Sequence, residues 1–134
     1  MDPNIDFNRD AFGLAQLADT NLYRVDLTDA DLMLANLNGA FLVGANLSGA
    51  NLYQAAMDGT LLIDADLSDA YMANAHLSGA NLTKANLSGA DLSSANLEGA
   101  NLTNADITGV DFSGARLSDA ILEGVIGWDT VTGI

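Results

Sequence analysis

Residues 80–99 read Ala-Asn-Leu-Thr-Lys, Ala-Asn-Leu-Ser-Gly, Ala-Asp-Leu-Ser-Ser, Ala-Asn-Leu-Glu-Gly, which is four blocks of five residues with a leucine at the centre of each. The pattern continues in both directions without an insertion or a deletion. A large apolar residue stands at every fifth position from Leu22 to Leu122, which gives 21 units. A period that is kept this strictly indicates a repeat architecture.

Each unit has the same order of residue types. With the large residue as position i, the residue at i−2 is small and usually alanine, and the residue at i−1 is Asp or Asn in 14 of the 21 units. Ten of the 13 glycines stand at i+2, where a turn with a positive φ would favour them. Because a period of five fits neither an amphipathic helix nor a simple strand, the chain must turn once in every unit.

A second period of 20 residues is also present. Phe41 recurs as Leu61, and Gly39, Gly59, Gly79 and Gly99 fall in one line. Four units would then close one square coil, and residues 20 apart would stack. The sequence predicts an all-β, quadrilateral β-helix over residues 20–126 with about five coils, in which the large residues fill the interior.

The motif Ala-(Asp/Asn)-Leu-x-x, as in Ala45-Asn46-Leu47 and Ala90-Asp91-Leu92, resembles the pentapeptide repeat family. The resemblance implies a right-handed quadrilateral β-helix. It implies no single function, because most members have none known, while a minority imitate duplex DNA and bind DNA gyrase. This chain is short, its repeats contain no interrupting loops, and it has no long C-terminal helix of the kind through which those gyrase-binding members dimerise.

Both ends of the chain leave the pattern. Residues 1–19 are predicted to form an N-terminal cap, and Asn8 is a candidate N-cap of a short helix through Ala18. Residues 127–134 are predicted to form a C-terminal cap or tail. Trp128 would either cover the last coil or dock a second subunit, so a dimer remains an open alternative.

Composition excludes several classes of function. Eighteen acidic residues against four basic ones give a net charge of −14, which argues against direct binding to nucleic acid or to an anionic membrane. The chain has no cysteine, which rules out disulfides, thiolate metal sites and cysteine nucleophiles. No long apolar run or secretion signal is evident, and the sequence therefore predicts a cytoplasmic protein.

A cluster of apolar residues is predicted on the outside of the rod. Where the C-terminal half has Asn and Thr, the face centred on Leu22 carries five large apolar residues at outward positions, all in the N-terminal half. The opposite face adds Met33, Tyr53 and Tyr71. Outward apolar residues at stacked positions are typical of an interface. This candidate partner-binding surface, called here the apolar ridge, consists of Tyr23, Phe41, Val43, Leu61 and Ile63.

A second candidate surface is acidic. Eight aspartates fall on the two adjacent faces centred on Leu27 and Leu32, and no basic residue lies among them. The rod would be roughly 25 Å long and B-DNA carries one charge per ~1.7 Å, so the two total charges are similar in size. Aspartate would also serve solubility alone. This acidic stripe consists of Asp26, Asp29, Asp31, Asp66, Asp69, Asp91, Asp106 and Asp111.

The sequence favours a non-enzymatic scaffold that binds an unknown protein partner or itself through the apolar ridge. The alternative is a DNA mimic that binds a type II topoisomerase through the acidic stripe. A rod with a filled interior offers no pocket for catalysis. The single His76 is expected to be a surface residue, and no cofactor or metal is predicted.

Overall fold

The computed structural model describes residues 14–134. In this range the backbone winds into a coil with 20 residues per turn. Each residue at i−1 forms a parallel β-bridge with the residue 20 positions later, from Gln16 with Asn36 to Asp106 with Ile126. Every bridge is a single residue pair, and the one helix among the described residues is the 3-10 helix Trp128–Thr130.

A β-turn closes each unit of five residues. The N–H of Ala45, for example, donates to the carbonyl oxygen of Leu42 at 3.0 Å. The residue at i+2 has a positive φ in every unit from Leu14 to Gly124, and it is glycine in ten of them. The predicted turn with a positive φ at i+2 is therefore confirmed, and glycine is favoured there because it has no Cβ to clash with its own backbone.

Backbone hydrogen bonds join each coil to the coils on both sides. The N–H of Leu82 donates to the carbonyl oxygen of Asn101 in the following coil at 2.7 Å, and the N–H of Asn81 donates to that of Thr60 in the preceding coil at 2.9 Å. This pattern continues along the rod. It satisfies the polar groups that a buried backbone must pair.

The interior is filled by two kinds of stacked column. From Leu27 to Leu102 the large residues at i have no exposed surface, and the alanines at i−2 are buried beside them. Thr60 is the one buried polar residue in the described part of the chain, and its hydroxyl donates to the carbonyl oxygen of Leu37 at 2.8 Å. The predicted all-β, four-sided solenoid is confirmed.

The predicted N-terminal boundary at residue 20 is wrong. Gln16 already bridges Asn36, and the N–H of Leu17 donates to the carbonyl oxygen of Asn36 at 2.8 Å. Ala15-Gln16-Leu17 follows the small, polar, large order of the repeat, which is why this unit can join the coil. The predicted helix is therefore wrong for residues 14–18, and its part over residues 8–13 lies outside the described residues.

The C-terminal end departs from the repeat after Ile126. A one-residue insertion shifts the last bridge, so that Asp111 pairs with Thr132 instead of the residue 20 positions later. Gly127 has φ 84° and lies against Thr108, where a Cβ would collide with the Thr108 backbone. The tail is anchored by Thr130, whose hydroxyl accepts from the N–H of Gly109 at 2.8 Å.

The rod has four faces, and each is named here by one of the four consecutive large residues Leu22, Leu27, Leu32 and Leu37, which are all buried. The Leu22 face, the Leu27 face, the Leu32 face and the Leu37 face follow one another around the coil. The Leu37 face also contains Leu17. On each face, two surface columns at i−1 and i+1 and the corner column at i+2 carry the outward side chains that decide what the rod can bind.

Candidate functional site: the apolar ridge and the acidic stripe

The apolar ridge occupies two neighbouring columns of the Leu22 face. In the i−1 column Asn21 bridges Phe41, Phe41 bridges Leu61, and Leu61 bridges Asn81. Counted from the coil of Asn21 as the first, the apolar residues of this column lie in the second and third coils. Tyr23 is 53% exposed and Phe41 is 38% exposed. Val43, Leu61 and Ile63 are half-buried. The structure thus brings the five predicted residues together on one side of the rod.

Two aromatic contacts order the start of the ridge. The ring centroids of Tyr23 and Phe41 are 6.1 Å apart, with the ring planes tilted by 38°. The guanidinium carbon of Arg24 lies 5.4 Å from the centre of the Tyr23 ring, which is within the range of a cation–π interaction. Tyr23 therefore lies close to both a phenyl ring and a cation, although more than half of its surface faces solvent.

The polar half of the same face shows what the coil itself requires at these columns. The Oδ1 atom of Asn81 accepts the N–H of Thr83 at 3.1 Å and its hydroxyl at 2.6 Å. Asn101 and Thr103 repeat this arrangement at 3.0 Å and 2.6 Å. The second and third coils fold in the same way with Phe41 and Val43, and Leu61 and Ile63, in place of these pairs. In the first coil Asn21 still accepts the N–H of Tyr23 at 3.1 Å. The apolar character of the ridge is thus not needed for the fold.

A second apolar cluster lies on the opposite side, on the Leu32 face. The rings of Tyr53 and Tyr71 are stacked with their centroids 5.6 Å apart and their planes within 5°. Tyr71 is 44% exposed and Met33 is 38% exposed. Apolar side chains therefore face solvent on two opposite sides of the N-terminal half.

The acidic stripe lies on the Leu27 and Leu32 faces, as the period of 20 predicts. On the Leu27 face aspartate alternates with asparagine from coil to coil. The Oδ1 atom of Asp66 accepts the N–H of Ser68 at 3.0 Å and its hydroxyl at 2.7 Å, and Asn46 binds Ser48 in the same way at 3.0 Å and 2.8 Å. An amide therefore fills the structural role as well as a carboxylate, and the charge is an addition to it.

Hydrogen bonding changes the acidity of two carboxyls in the stripe. The hydroxyl and the N–H of Thr28 lower the pKa of Asp26 from its ordinary value. The hydroxyl and the N–H of Ser113 do the same for the pKa of Asp111. Both shifts come from hydrogen bonds that stabilise the charged form.

The remaining stripe residues are distributed unevenly. Asp31 and Asp91 also accept the backbone N–H two residues later, at 3.2 Å and 2.9 Å, and Asp106 accepts that of Thr108 at 3.0 Å. Asp29 and Asp69 stand at corners with positive φ. No stripe aspartate lies on the second coil, where the corresponding residues are Asn46, Gly49 and Asn51. The stripe is thus interrupted between the first and third coils.

The corner between the Leu32 and Leu37 faces forms an open groove of about 470 Å³. His76 is exposed at its edge, and Arg116 forms an ion pair with Glu98 at the far end. Across residues 14–134, no three His, Cys, Asp or Glu side chains are grouped so that they could hold a metal ion. Over the same range, no helix has the length and hydropathy that a membrane span requires. The groove is lined by Leu34, Gln54, Asn74, Ala75, His76, Ser94, Asn96 and Arg116.

Known proteins share this architecture. The family model described as pentapeptide repeats matches the chain in 8 copies, over residues 12–49, 35–62, 61–99 and 85–124. No curated protein matches the chain. The match confirms the resemblance seen in the sequence, and with it the right-handed β-helix.

Several solved structures are similar to this chain. A pentapeptide repeat protein (Rfr23) from the cyanobacterium Cyanothece 51142 is 36% identical, with 80% of this chain and 63% of that chain covered and a TM-score of 0.59. HetL, a pentapeptide repeat protein involved in heterocyst differentiation regulation in Nostoc sp. strain PCC 7120, is 34% identical, with 83% and 65% covered and a TM-score of 0.39. QnrB1, a plasmid-mediated fluoroquinolone resistance protein, is 17% identical, with 95% and 75% covered and a TM-score of 0.41. The chain thus spans less than two thirds of the length of Rfr23 and of HetL.

Proposed function

The chain belongs to the pentapeptide repeat family, and we propose that it is a non-enzymatic scaffold that binds another protein molecule through the apolar ridge. One observation carries the proposal. Five apolar side chains are stacked on the Leu22 face, and for four of them, Phe41, Val43, Leu61 and Ile63, the residue two coils later in the same column is Asn or Thr. Proteins that work as monomers rarely expose a contiguous apolar patch, and aromatic side chains are enriched in interfaces.

The filled interior supports a binding role over a catalytic one. Leucine and alanine side chains occupy the inside of the rod from wall to wall, with almost no exposed surface. Catalysis requires reacting groups that converge in a site shielded from water. The open groove beside His76 gives no such shielding, and members of this family are generally structural proteins.

The acidic stripe has a structural explanation. Its Asp side chains at i−1 make hydrogen bonds that Asn makes equally well, and the stripe is interrupted at the second coil. B-DNA carries its charges at a regular spacing of ~1.7 Å along the axis. DNA mimicry by this chain therefore stays a prediction that no contact described above favours.

The test is a pull-down, in which the immobilised chain captures the proteins that bind to it. The variant Phe41→Ser with Leu61→Ser removes the apolar side chains of one ridge column. Its matched control is Asn81→Ser with Asn101→Ser, which changes the same column in the polar half. We expect the wild type and the control to retain the same proteins, and we expect the ridge variant to lose them.

Folding of each variant is checked by circular dichroism and thermal unfolding before the capture. A ridge variant that is folded and retains every protein at the wild-type level would overturn the proposal. So would a control variant that loses the same proteins as the ridge variant.

A further inference from the structure

Resting on the ridge as the binding surface, we propose that its occupant is a second copy of this chain, packed antiparallel about a two-fold axis that passes over Gly44. In such a dimer both copies use the same patch, so the patch must be complementary to itself. The axis lies in the interface, across the rods. Each surface column then faces the same column of the second copy in reversed coil order.

The charges at one edge of the ridge meet this condition. The i+2 column of the Leu22 face reads Arg24, Gly44, Asp64 and Lys84 from the first coil to the fourth. Arg24 and Asp64 are exposed, and each lies one coil from Gly44, on opposite sides. About an axis over Gly44, Arg24 of each copy faces Asp64 of the other, which gives two symmetric ion pairs.

The apolar i+1 column matches about the same axis, and the i−1 column matches at Phe41. Phe41 and Val43 lie on the axis and face themselves, and Tyr23 faces Ile63 of the second copy. Leu61 faces Asn21 of the second copy, because Asn21 precedes Phe41 in the i−1 column. Gly44 carries no side chain at the centre of the charged column. The axis that pairs the charges therefore also passes through the middle of the ridge.

In neighbouring registers either the pairing of opposite charges or the contact between apolar residues is lost. A shift of the axis by half a coil toward the C-terminal end places Arg24 against Lys84, which is a contact between like charges. A shift by a full coil places Asp64 against itself. The pairing of Asp64 with Lys84 requires a further half coil, and it sets Val43 against Thr103. Among these registers, only the one over Gly44 pairs opposite charges and also keeps the three apolar residues of the i+1 column in contact with one another.

The antiparallel arrangement also separates the C-terminal coils of the two rods. The net charge is −14 per chain, so two rods laid side by side along their whole length would repel each other. In the register over Gly44, the coils that follow the ridge extend from opposite ends of the contact. A parallel arrangement would keep them adjacent, and it would pair Arg24 with Asp19 instead.

The contact is small, and the dimer is accordingly expected to be weak. Three coils at a spacing of ~4.8 Å span about 14 Å along the rod, which belongs to the small, transient class of interfaces. Low concentrations of added salt should strengthen the association, since salt screens the repulsion between the two net charges.

Sedimentation equilibrium of the full chain, from about 10 µM to about 1 mM, tests the proposal. The wild type is expected to move from a mass of 13.8 kDa toward twice that value as its concentration rises. Arg24→Asp and Asp64→Arg are each expected to weaken the association at least tenfold. The double variant, Arg24→Asp with Asp64→Arg, restores both ion pairs with their charges exchanged. Its dissociation constant should be within about threefold of the wild-type value.

Several results would overturn the antiparallel dimer. These are a wild type that stays at 13.8 kDa at every concentration, a double variant that stays as weak as the single ones, and rescue of Arg24→Asp by Asp19→Arg in place of Asp64→Arg. If the wild type is monomeric while Phe41→Ser with Leu61→Ser loses its captured proteins, the ridge binds a different partner and only the dimer fails. If Phe41→Ser with Leu61→Ser captures the same proteins as the wild type, the proposed function fails as well.

Discussion

Phe41 and Leu61 face each other in a parallel β-bridge, one coil apart on the outside of the rod. The carbonyl oxygen of Leu61 accepts the N–H of Leu42 at 2.8 Å, and the N–H of Leu61 donates to the carbonyl oxygen of Ala40 at 3.0 Å. Backbone hydrogen bonds therefore fix the spacing of the two side chains. The ridge is a rigid surface supplied by the repeat, and such preorganisation lowers the entropic cost of binding.

The stacked leucines are expected to carry most of the stability of the rod. Leu82 is completely buried, and Leu82→Ala should lower the free energy of unfolding by about 2–5 kcal/mol, because the neighbouring coils cannot close the cavity. Leu82→Met keeps the volume and should cost less than about 1.5 kcal/mol. Urea unfolding followed by circular dichroism measures both changes, and equal losses for the two variants would contradict the packing described above.

Backbone strain is expected at those i+2 corner positions that have a residue other than glycine. Leu34 has φ 60°, and Leu34→Gly should raise the free energy of unfolding by about 0.5–1 kcal/mol. Gly79 has φ 65° and open space where a Cβ would lie, so Gly79→Ala should lower it by about 1 kcal/mol through strain alone. Thermal unfolding of the two variants should shift in opposite directions. A shift of both in the same direction would show that φ does not decide these positions.

Low pH should remove a small contribution that Asp26 makes to the stability of the folded chain. The pKa of Asp26 lies below its ordinary value of 3.8 because the Thr28 hydroxyl and N–H bind the charged carboxyl. The folded state therefore binds fewer protons than the unfolded state near this pH. The contribution is complete above about 3.8 and is lost as the pH falls through the lowered value.

The measurement is an NMR titration of the side-chain carboxyl of Asp26, with Thr28→Ala as the comparison. We expect a midpoint below 3.8 in the wild type and a higher midpoint in the variant, which lacks the hydroxyl. Coincident midpoints in the two proteins would mean that the Thr28 hydroxyl does not hold the carboxylate.

The acidic stripe is expected to have no effect on DNA gyrase. The variant Asp26→Asn with Asp66→Asn and Asp106→Asn keeps the hydrogen bonds that Asn46 and Asn86 already make, and it removes three charges from one face. Supercoiling of a plasmid by gyrase should be the same with the wild type, with this variant and without either protein. Inhibition by the wild type that the variant loses would establish the stripe as a functional surface.

Much of the fold could be predicted because a strict period fixes which residues stack. Each repeat advances the chain by a quarter of a coil, so the columns that contain Phe41 and Asp66 follow from counting alone. The glycines at i+2 identify the turn for a local reason, since few residues accept a positive φ without strain. The predicted location of the apolar ridge rests on these two facts.

The parts that could not be predicted depend on contacts outside the period of 20. Tyr53 stacks on Tyr71 and Arg116 pairs with Glu98, each across 18 residues, because outward side chains also meet diagonally between coils. At the C-terminal end, the insertion before Thr132 is accommodated by Gly127, whose close approach to Thr108 no pattern in the sequence reveals. At the N-terminal end, Asp10 stands where the repeat requires a small residue and ends the pattern in the sequence, although the later unit Ala15-Gln16-Leu17 pairs with the next coil.

Photo-crosslinking inside the cell tests most directly whether the ridge is a binding surface. A photoreactive phenylalanine analogue at position 41 is compared with the same analogue at position 101, which stands in the same column on the polar half. We expect a discrete crosslinked product from position 41 and none from position 101. Equal crosslinking from both positions, or none from position 41 in a folded and well-expressed protein, would contradict the claim that this chain acts through its apolar ridge.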